Sequence, residues 1–460
     1  MHDLSDIITM TTFVPANDIV SEDNAALKFV EQYGETLRFC HSRGKWLHWN
    51  GHFWEINETQ LAYHWVRELV RQQAENCSKT DRVKLGRTSF ANGVEKFARC
   101  DPAVARTIND FDRDPWLVGT PDGTVDLRTG ILRPGIPDDC ISKATKVAPS
   151  KSGCPLWLRF LNETTAINGG LIRFLQQFCG YALTGVTREH ALVFVYGPGG
   201  NGKSVFLNVI SGIMKDYAVT SAMETFAASH NDKHPTDLAM LAGARLATAS
   251  ETEEGRAWAE TRIKQMTGSD PITARFMRCD FFTYIPQFKL FVIGNHKPTL
   301  HNVDDAMRRR FNIVPFLLKP EKPDRELEHK LMAEAPGILQ WMIDGCLDWQ
   351  QNGLIRPDVV TEATAEYFSD QNAFQHWLDD ECICDPRNIE LSAASSVLFK
   401  SWTDYAKVAG VKPGTTSTFK EHLMTAGFKF KRGSKIREFF GISLKPKPKP
   451  FDGIWSAGDE

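Results

Sequence analysis

The segment Gly197-Pro-Gly-Gly-Asn-Gly-Lys203-Ser204 limits what this chain can fold into more than any other stretch. It fits G-x-x-x-x-G-K-[ST] at every fixed position. Its flanks fit as well: Ala191–Tyr196 reads as a buried apolar strand and Val205–Met214 as an amphipathic helix. A glycine-rich turn between strand and helix lets backbone N–H groups approach an anion with no Cβ in the way, and the helix start adds its positive end. A parallel α/β layer that binds a nucleoside triphosphate is the expected outcome. Gly197, Pro198, Gly199, Gly200, Asn201, Gly202, Lys203, Ser204 and Val205 form the expected cradle. Lys203 is expected to reach the β- and γ-phosphates, and Ser204 to place its hydroxyl on Mg²⁺. The competing reading, a turn that binds nothing, leaves both flanks without a reason.

Hydrolysis of a bound triphosphate needs a carboxylate beside the metal to orient or deprotonate water. The next expected strand, Ala244–Ser250, runs into Glu251-Thr-Glu253-Glu254. Glu251 is the first choice for that role and for a place on the metal, and Glu253 the second. A solvated acidic helix start is the other reading. A third strand, Lys289–Ile293, leads into Gly294-Asn295-His296-Lys297-Pro298. The amide of Asn295 suits a hydrogen bond to the γ-phosphate or the attacking water; alternatively it is a turn residue before Pro298. Arg308, Arg309 and Arg310 then precede the apolar run Phe311–Leu318. Arg309 and Arg310 are the candidates for an arginine that reaches a neighbouring subunit's γ-phosphate, against the plainer reading of an ion-paired surface turn.

With 460 residues the chain has room for about three domains. Segments 1–150, 151–189, 190–320, 321–370 and 371–460 read in turn as a mixed domain, a helical connector, the nucleotide-binding core, a helical extension, and a tail of helices with a two-stranded wing. In the first segment Trp46, Trp49, Phe53 and Trp54 flank Asn50-Gly51, a hairpin signal. Packing a small core is the favoured use of those rings, over stacking on bases. No apolar run approaches the roughly 20 residues that span a bilayer. Met1–Val20 carries acids and neither Lys nor Arg, unlike a signal peptide. A soluble, cytoplasmic protein with no membrane partner is expected. The ten cysteines form no C-x-x-C pair, which disfavours structural zinc. Net charge is only −3, yet eight Lys or Arg and one acid lie between Lys429 and Lys449. That is a local basic patch on a near-neutral protein, a sign of nucleic-acid contact in one place.

Taken in order, four features resemble the superfamily 3 helicases, in particular the phage and plasmid primase–helicases related to the poxvirus primase–helicase. They are GPGGNGKS (197–204), LAGARLATASETEE (241–254), Lys264-Gln-Met-Thr-Gly-Ser-Asp-Pro-Ile-Thr-Ala-Arg275, and KLFVIGNHKP (289–298) followed by RRRFNIVPF (308–316). WLHWNGHFW and DGTVDLRTG resemble that family's pre-helicase domain. The resemblance implies an α/β fold class: a P-loop ATPase core of modified AAA+ type with a parallel sheet, a mixed α+β pre-helicase domain before it and a winged-helix-like tail after it. It implies ATP and Mg²⁺ as cofactors. It also implies a homo-oligomeric ring, a hexamer in the family, around single-stranded DNA at a fork duplex. Many relatives carry a primase–polymerase domain ahead of this region; here the sequence starts close to the pre-helicase domain, so a separate primase is an expected partner.

In the family the motif at Lys264 leads into a hairpin that enters the ring channel. Here that hairpin would run out along Ile272–Met277, turn at Arg278–Phe282 and return along Thr283–Leu290. Lys264, Arg275 and Arg278 are candidate phosphate contacts, and Phe281 a stacking or wedge residue. Pairing of Arg275 and Arg278 with Asp270 or Asp280 is the structural alternative. In the tail, helices over 391–408 and 416–426 lead to a basic wing, 428–437, in which Lys431, Arg432, Lys435 and Arg437 are candidate DNA contacts, with Lys429 beside them. The expected activity is ATP-dependent DNA unwinding for replication of a phage, plasmid or integrated mobile element. A P-loop ATPase that remodels protein complexes would have no use for the Lys264 motif or the wing. A non-hydrolysing origin-binding module would have no use for intact Lys203, Ser204 and Glu251.

Overall fold

The computed structural model describes residues 21–75, 77–228, 236–251, 257–300, 304–320, 322–409, 411–432 and 437–446. It divides into two compact units, residues 1–124 with 133–143, and residues 125–132 with 144–460.

The first unit is α+β. The hairpin expected at Asn50-Gly51 forms between the strands Lys45–Trp49 and Trp54–Ile56. Gly51 takes φ +98°, and the Asn50 side-chain oxygen accepts from the N–H groups of His52 at 3.0 Å and Phe53 at 2.9 Å. Those are the two local reasons this dipeptide turns: freedom at positive φ and a side chain that satisfies the turn's own donors. Leu37–Cys40 pairs antiparallel with Lys45–Trp49 and parallel with Ala105–Arg106, completing a four-stranded sheet. Helices Glu22–Tyr33, Leu61–Glu75 and Thr88–Ala98 bury Phe29, Val66 and Val94 in one cluster with Trp46. Trp54 is fully buried and donates Nε1 to the Pro137 carbonyl at 2.9 Å; Trp46 donates to Glu95 Oε1 at 2.7 Å. These two tryptophans are therefore core, each with its polar edge satisfied.

The second unit is built on a five-stranded parallel sheet, in the order Phe311–Pro315, Leu192–Tyr196, Lys289–Gly294, Leu246–Glu251, Ala218–Thr220. The central strands Leu192–Tyr196 and Lys289–Gly294 are mostly apolar and buried along almost their whole length because both faces are covered. Leu290 and Val292 join a cluster with Phe194, Trp258, Ile263, Phe311 and Tyr367. Phe291 points the other way, as strand alternation requires, and meets Phe178 and Phe206 at ring-centroid distances of 5.8 and 5.6 Å. Phe178 belongs to the helix Gly169–Leu183, which packs backbone to backbone on Ala335–Asn352. A Cβ on Gly180 would lie 2.1 Å from the Cys346 nitrogen, and one on Gly345 2.1 Å from the Gln176 carbonyl oxygen. Arg173 and Asp348 close that pair at 2.7 Å, and the guanidinium holds the Asp348 carboxyl down at about 2.

A 24-residue helix, Asp358–Glu381, leaves the sheet for the tail. Tyr367 and Phe368 pack on Phe311, while Phe374 and Trp377 belong to a second core with Trp402, Phe419 and Phe439. The tail itself holds Ser392–Ala394, the helices Ser395–Val408 and Thr416–Thr425, and the strands Lys429–Arg432 and Arg437–Phe440. The helix expected from Leu391 opens instead as the strand Ser392–Ala394, because this stretch pairs antiparallel with Arg437–Phe440. The hairpin's return is likewise shorter than expected: Phe282–Tyr284 pairs with Ile272–Ala274, while Lys289 and Leu290 already belong to the parallel sheet opposite Leu246 and Ala247. Among the described residues no helix is long and apolar enough to cross a membrane.

Candidate functional site

Tyr196 ends its strand between Gly294 on one side and Pro315 on the other, and Gly294 lies opposite Glu251. The glycine-rich loop, Asn295 and the end of Leu246–Glu251 thus leave the carboxyl ends of neighbouring parallel strands, where open α/β sheets form crevices. A cleft of about 300 Å³ lies there, lined by Gly199, Gly200, Gly202, Lys203, Ser204, Val205, Ser250 and Asn295 among others.

The loop is held shut from below and open above. The helix Lys203–Met214 begins at the lysine, so Ser204 is its second residue and is exposed. N–H groups in that first turn have no partner within the helix. Gly202 takes φ +86°, and a Cβ there would come within 2.8 Å of the Phe160 ring. A Cβ on Gly197 would lie 1.9 Å from the Phe316 carbonyl oxygen, whereas at Gly199 and Gly200 it would meet nothing within 4 Å. The loop therefore presses its ends on the protein and turns its middle to the cleft. Asn201 is 1% exposed. It donates to the Phe316 carbonyl and accepts from Lys203 Nζ at 2.9 Å. Lys203 Nζ also donates to the carbonyls of Gly197 at 2.6 Å and Pro198 at 3.1 Å. Burial lowers the pKa of this ammonium, and the charge of Lys319 adds to the effect. The sequence reading placed Asn201 in the cradle; its part as the strut between loop, lysine and Phe316 had no signal in the motif.

Asn295 is exposed at its strand tip, and Glu251 is the last residue of its strand. Glu253 and Lys435 lie outside the described residues. The two candidate arginines differ. Arg310 is 7% exposed and donates to Thr267 Oγ1 at 3.0 Å and the Ala306 carbonyl at 2.7 Å, so it faces inward. Arg309 is exposed, as is Arg308. Lys264 is ion-paired with Asp304, which caps the short helix Asp305–Arg308, so a phosphate contact at Lys264 requires that pair to open.

The hairpin formed by Ile272–Ala274 and Phe282–Tyr284 carries an exposed apolar and basic tip. Met277 is 70% and Phe281 60% exposed. The Arg275 guanidinium sits 4.7 Å above the Phe281 ring. Arg278 is exposed at φ +61°. Among the described residues neither arginine is ion-paired with Asp270 or Asp280. In the tail, Lys429, Lys431 and Arg437 are exposed on adjacent antiparallel strands, and Arg432 pairs across from Arg437. Among the described residues no three His, Cys, Asp or Glu side chains converge as a metal site.

Residues 26–166 match a family described as D5 N terminal like, and residues 195–310 match a family of unknown function, DUF5906. The chain is 27% identical over 353 residues to a protein of Acanthamoeba polyphaga mimivirus provisionally named as helicase L207/L206, covering 68% of this chain and 36% of that one. It is 26% identical over 258 residues to a Frog virus 3 (isolate Goorha) protein provisionally named as helicase 022R, covering 51% and 26%. The chain thus spans about a third of the first relative's length and a quarter of the second's. Among solved structures, the apo NrS-1 C terminal region (305–718) aligns at 11% identity over 93% of this chain and 100% of that one, with a TM-score of 0.48. The D5 N terminal like match covers the WLHWNGHFW and DGTVDLRTG segments, and together with the helicase-named relatives it bears out the resemblance read from the sequence.

Proposed function

Taking its kinship with the superfamily 3 primase–helicases as the premise, we propose that this chain is an ATP-driven DNA helicase with a P-loop core of modified AAA+ type and a winged-helix-like tail. The observation that carries the proposal is the cleft that joins the 197–205 loop to Asn295, in the same unit as an exposed aromatic and basic hairpin. In this reading the loop N–H groups and the start of the helix Lys203–Met214 hold the β- and γ-phosphates. Lys203 exchanges its loop carbonyls for phosphate oxygens, a gain because an ammonium–phosphate bond is charge-assisted on both sides. Asn201 keeps the loop tied to Phe316 while this happens.

An apolar groove of about 640 Å³, lined by Pro155, Leu158, Asn162, Ile167 and Leu318, takes the base. It adjoins the loop, since Phe160 and Thr164 of the same helix abut Gly202 and Leu318 follows Phe316 by two residues. The exposed Ser204 hydroxyl and the strand-end Glu251 suit Mg²⁺, which binds through few protein oxygens together with phosphates and would neutralise charge on them. Glu251 orients the attacking water, with Glu253 in reserve, and Asn295 contacts the γ-phosphate. Arg309, the exposed member of the candidate pair, reaches the site of the next subunit in a homo-oligomeric ring, a hexamer by family expectation. The hairpin holds single-stranded DNA through Arg275, Arg278 and Phe281, while Lys431, Arg432, Lys435 and Arg437 meet the fork duplex.

The test is steady-state ATP hydrolysis with and without single-stranded DNA. The proposal expects strong DNA stimulation and no turnover in Lys203→Ala. Turnover that ignores DNA would favour a remodeller of protein complexes, and absence of turnover in the unaltered protein would favour a DNA-binding module.

A further inference from the structure

A second cavity, of about 280 Å³, shares Asn295 with the nucleotide cleft. The loop after Asn295 forms part of it, together with the helix Asp358–Glu381 and the tail residues Lys412 and His422. Lys297 is half-buried there. Its Nζ lies 4.2 Å from the ring centroid of Tyr196 and 6.0 Å from that of Tyr367. The carboxylates of Glu366 and Asp370, one helical turn apart, act on its charge, and Glu366 is also bonded to Lys412 at 3.0 Å. Tyr196 is the residue directly before Gly197. Lys297 therefore links the loop that carries Asn295 to the strand that carries the glycine-rich loop, and links both to the long helix. Two further bonds hold the same stretch to that helix: the Tyr367 hydroxyl donates to the Pro298 carbonyl, and Gln371 Oε1 accepts from the Leu300 N–H at 3.1 Å.

We infer that Lys297 is a positioning residue: held over the Tyr196 ring, with the carboxylates of Glu366 and Asp370 acting on its charge, it fixes Asn295 relative to the glycine-rich loop and so sets the rate of γ-phosphate cleavage without contributing to nucleotide affinity. The inference rests on the reading of the cleft as an ATPase site. A cation over an aromatic face in a partly desolvated cavity is worth enough to matter to a strand tip, and the charges of Glu366 and then Asp370 add to the lysine's grip. Burial, then the charge of Glu366, pushes the Asp370 carboxyl up to about 6. The groups around it are Glu366 on its own helix, Lys297 and His296 on the Asn295 loop, Lys412 on the tail segment, and Glu421 and His422 on the helix Thr416–Thr425. Burial holds the His422 pKa down at about 4, so that ring stays neutral through the relevant range. Asp370 is thus ionised above about pH 6, and as pH falls through that value one of the two carboxylates acting on Lys297 is lost, while the bond to Lys412 keeps Glu366 charged.

The experiment is steady-state ATP hydrolysis by the full chain across pH 5–8, with binding of a fluorescent ATP analogue measured in parallel. Lys297→Met is expected to lower kcat about tenfold while KM and analogue affinity stay within about twofold. Lys297→Arg, which keeps the cation, is expected to recover most of the rate. The unaltered protein should lose part of its kcat on the acid side with an apparent pKa near 6, and Asp370→Asn should flatten that limb. A Lys297→Met protein with unaltered kcat, one whose loss lies in KM and affinity, or a Lys297→Arg protein as slow as the methionine variant would each overturn the inference. Should Lys297→Met fail to fold, an acid limb unchanged in Asp370→Asn overturns it equally. Turnover that survives Lys203→Ala would instead overturn the reading of the cleft itself.

Discussion

Gly197 and Gly199 sit two residues apart in one loop, yet replacing each by alanine should have opposite consequences. At Gly197 the backbone is at φ +155°, and a Cβ would stand 1.9 Å from the Phe316 carbonyl oxygen and 2.4 Å from Asn201 Nδ2. Neither neighbour is the free end of a flexible side chain: one is backbone, the other a buried amide that bonds that same carbonyl. Relief requires the loop to lift from Phe316, which breaks the Asn201 bond. Strained backbone, overpacking and a lost buried hydrogen bond each cost on the order of 1–3 kcal/mol, and because one movement relieves several of them the total is on the order of 4 kcal/mol. That is about a thousandfold in the population of the correctly closed loop. At Gly199 φ is not positive and a Cβ meets nothing within 4 Å, so the fold should change by no more than about 0.5 kcal/mol. Thermal unfolding and binding of a fluorescent ATP analogue, measured on both variants, read the two effects. Gly197→Ala should melt well below the unaltered protein and bind analogue at least a hundredfold more weakly, while Gly199→Ala should melt normally. A Gly197→Ala protein with normal melting and affinity, or a Gly199→Ala protein that melts as low, would refute the loop geometry.

Other variants separate roles that look alike in sequence. Arg310→Ala should destabilise the fold by about 1–3 kcal/mol, since it removes the buried bonds to Thr267 Oγ1 and the Ala306 carbonyl. Arg309→Ala should melt normally but lose hydrolysis, and mixing it with Lys203→Ala protein should restore part of the rate through hybrid interfaces; no recovery at any ratio would remove the shared site. Arg278→Ala should lower the slope of log affinity for single-stranded DNA against log salt by about one, and an unchanged slope would remove Arg278 from the phosphate contacts.

Where the sequence reading succeeded, a short stretch carried its own physical reason. Asn50-Gly51 turned because glycine tolerates φ +98° and Asn50 satisfies the turn's donors. The loop 197–204 and the strand tips at Glu251 and Asn295 came out on one sheet edge because parallel strands joined by helices present their carboxyl ends together. What was hidden depends on partners far along the chain. The strut from Asn201 to Phe316 spans 115 residues, and the bond from Arg310 to Thr267 spans 43. Nothing near Arg310 distinguishes it from Arg309 in the sequence; only the helix that brings Thr267 alongside does. Ser392–Ala394 reads as a helix start until its partner strand, more than forty residues later, is known. Lys297 reads as one more charge after Asn295, and the ring that holds it belongs to a strand a hundred residues earlier.

The most direct measurement is strand separation of a forked duplex by the purified protein, followed as a function of ATP and compared with the Lys203→Ala protein. The account predicts unwinding that requires ATP, rises with its hydrolysis, and vanishes when Lys203 is replaced. Strands that separate equally well without nucleotide, or ATP consumed at full rate while the fork stays intact, would contradict it.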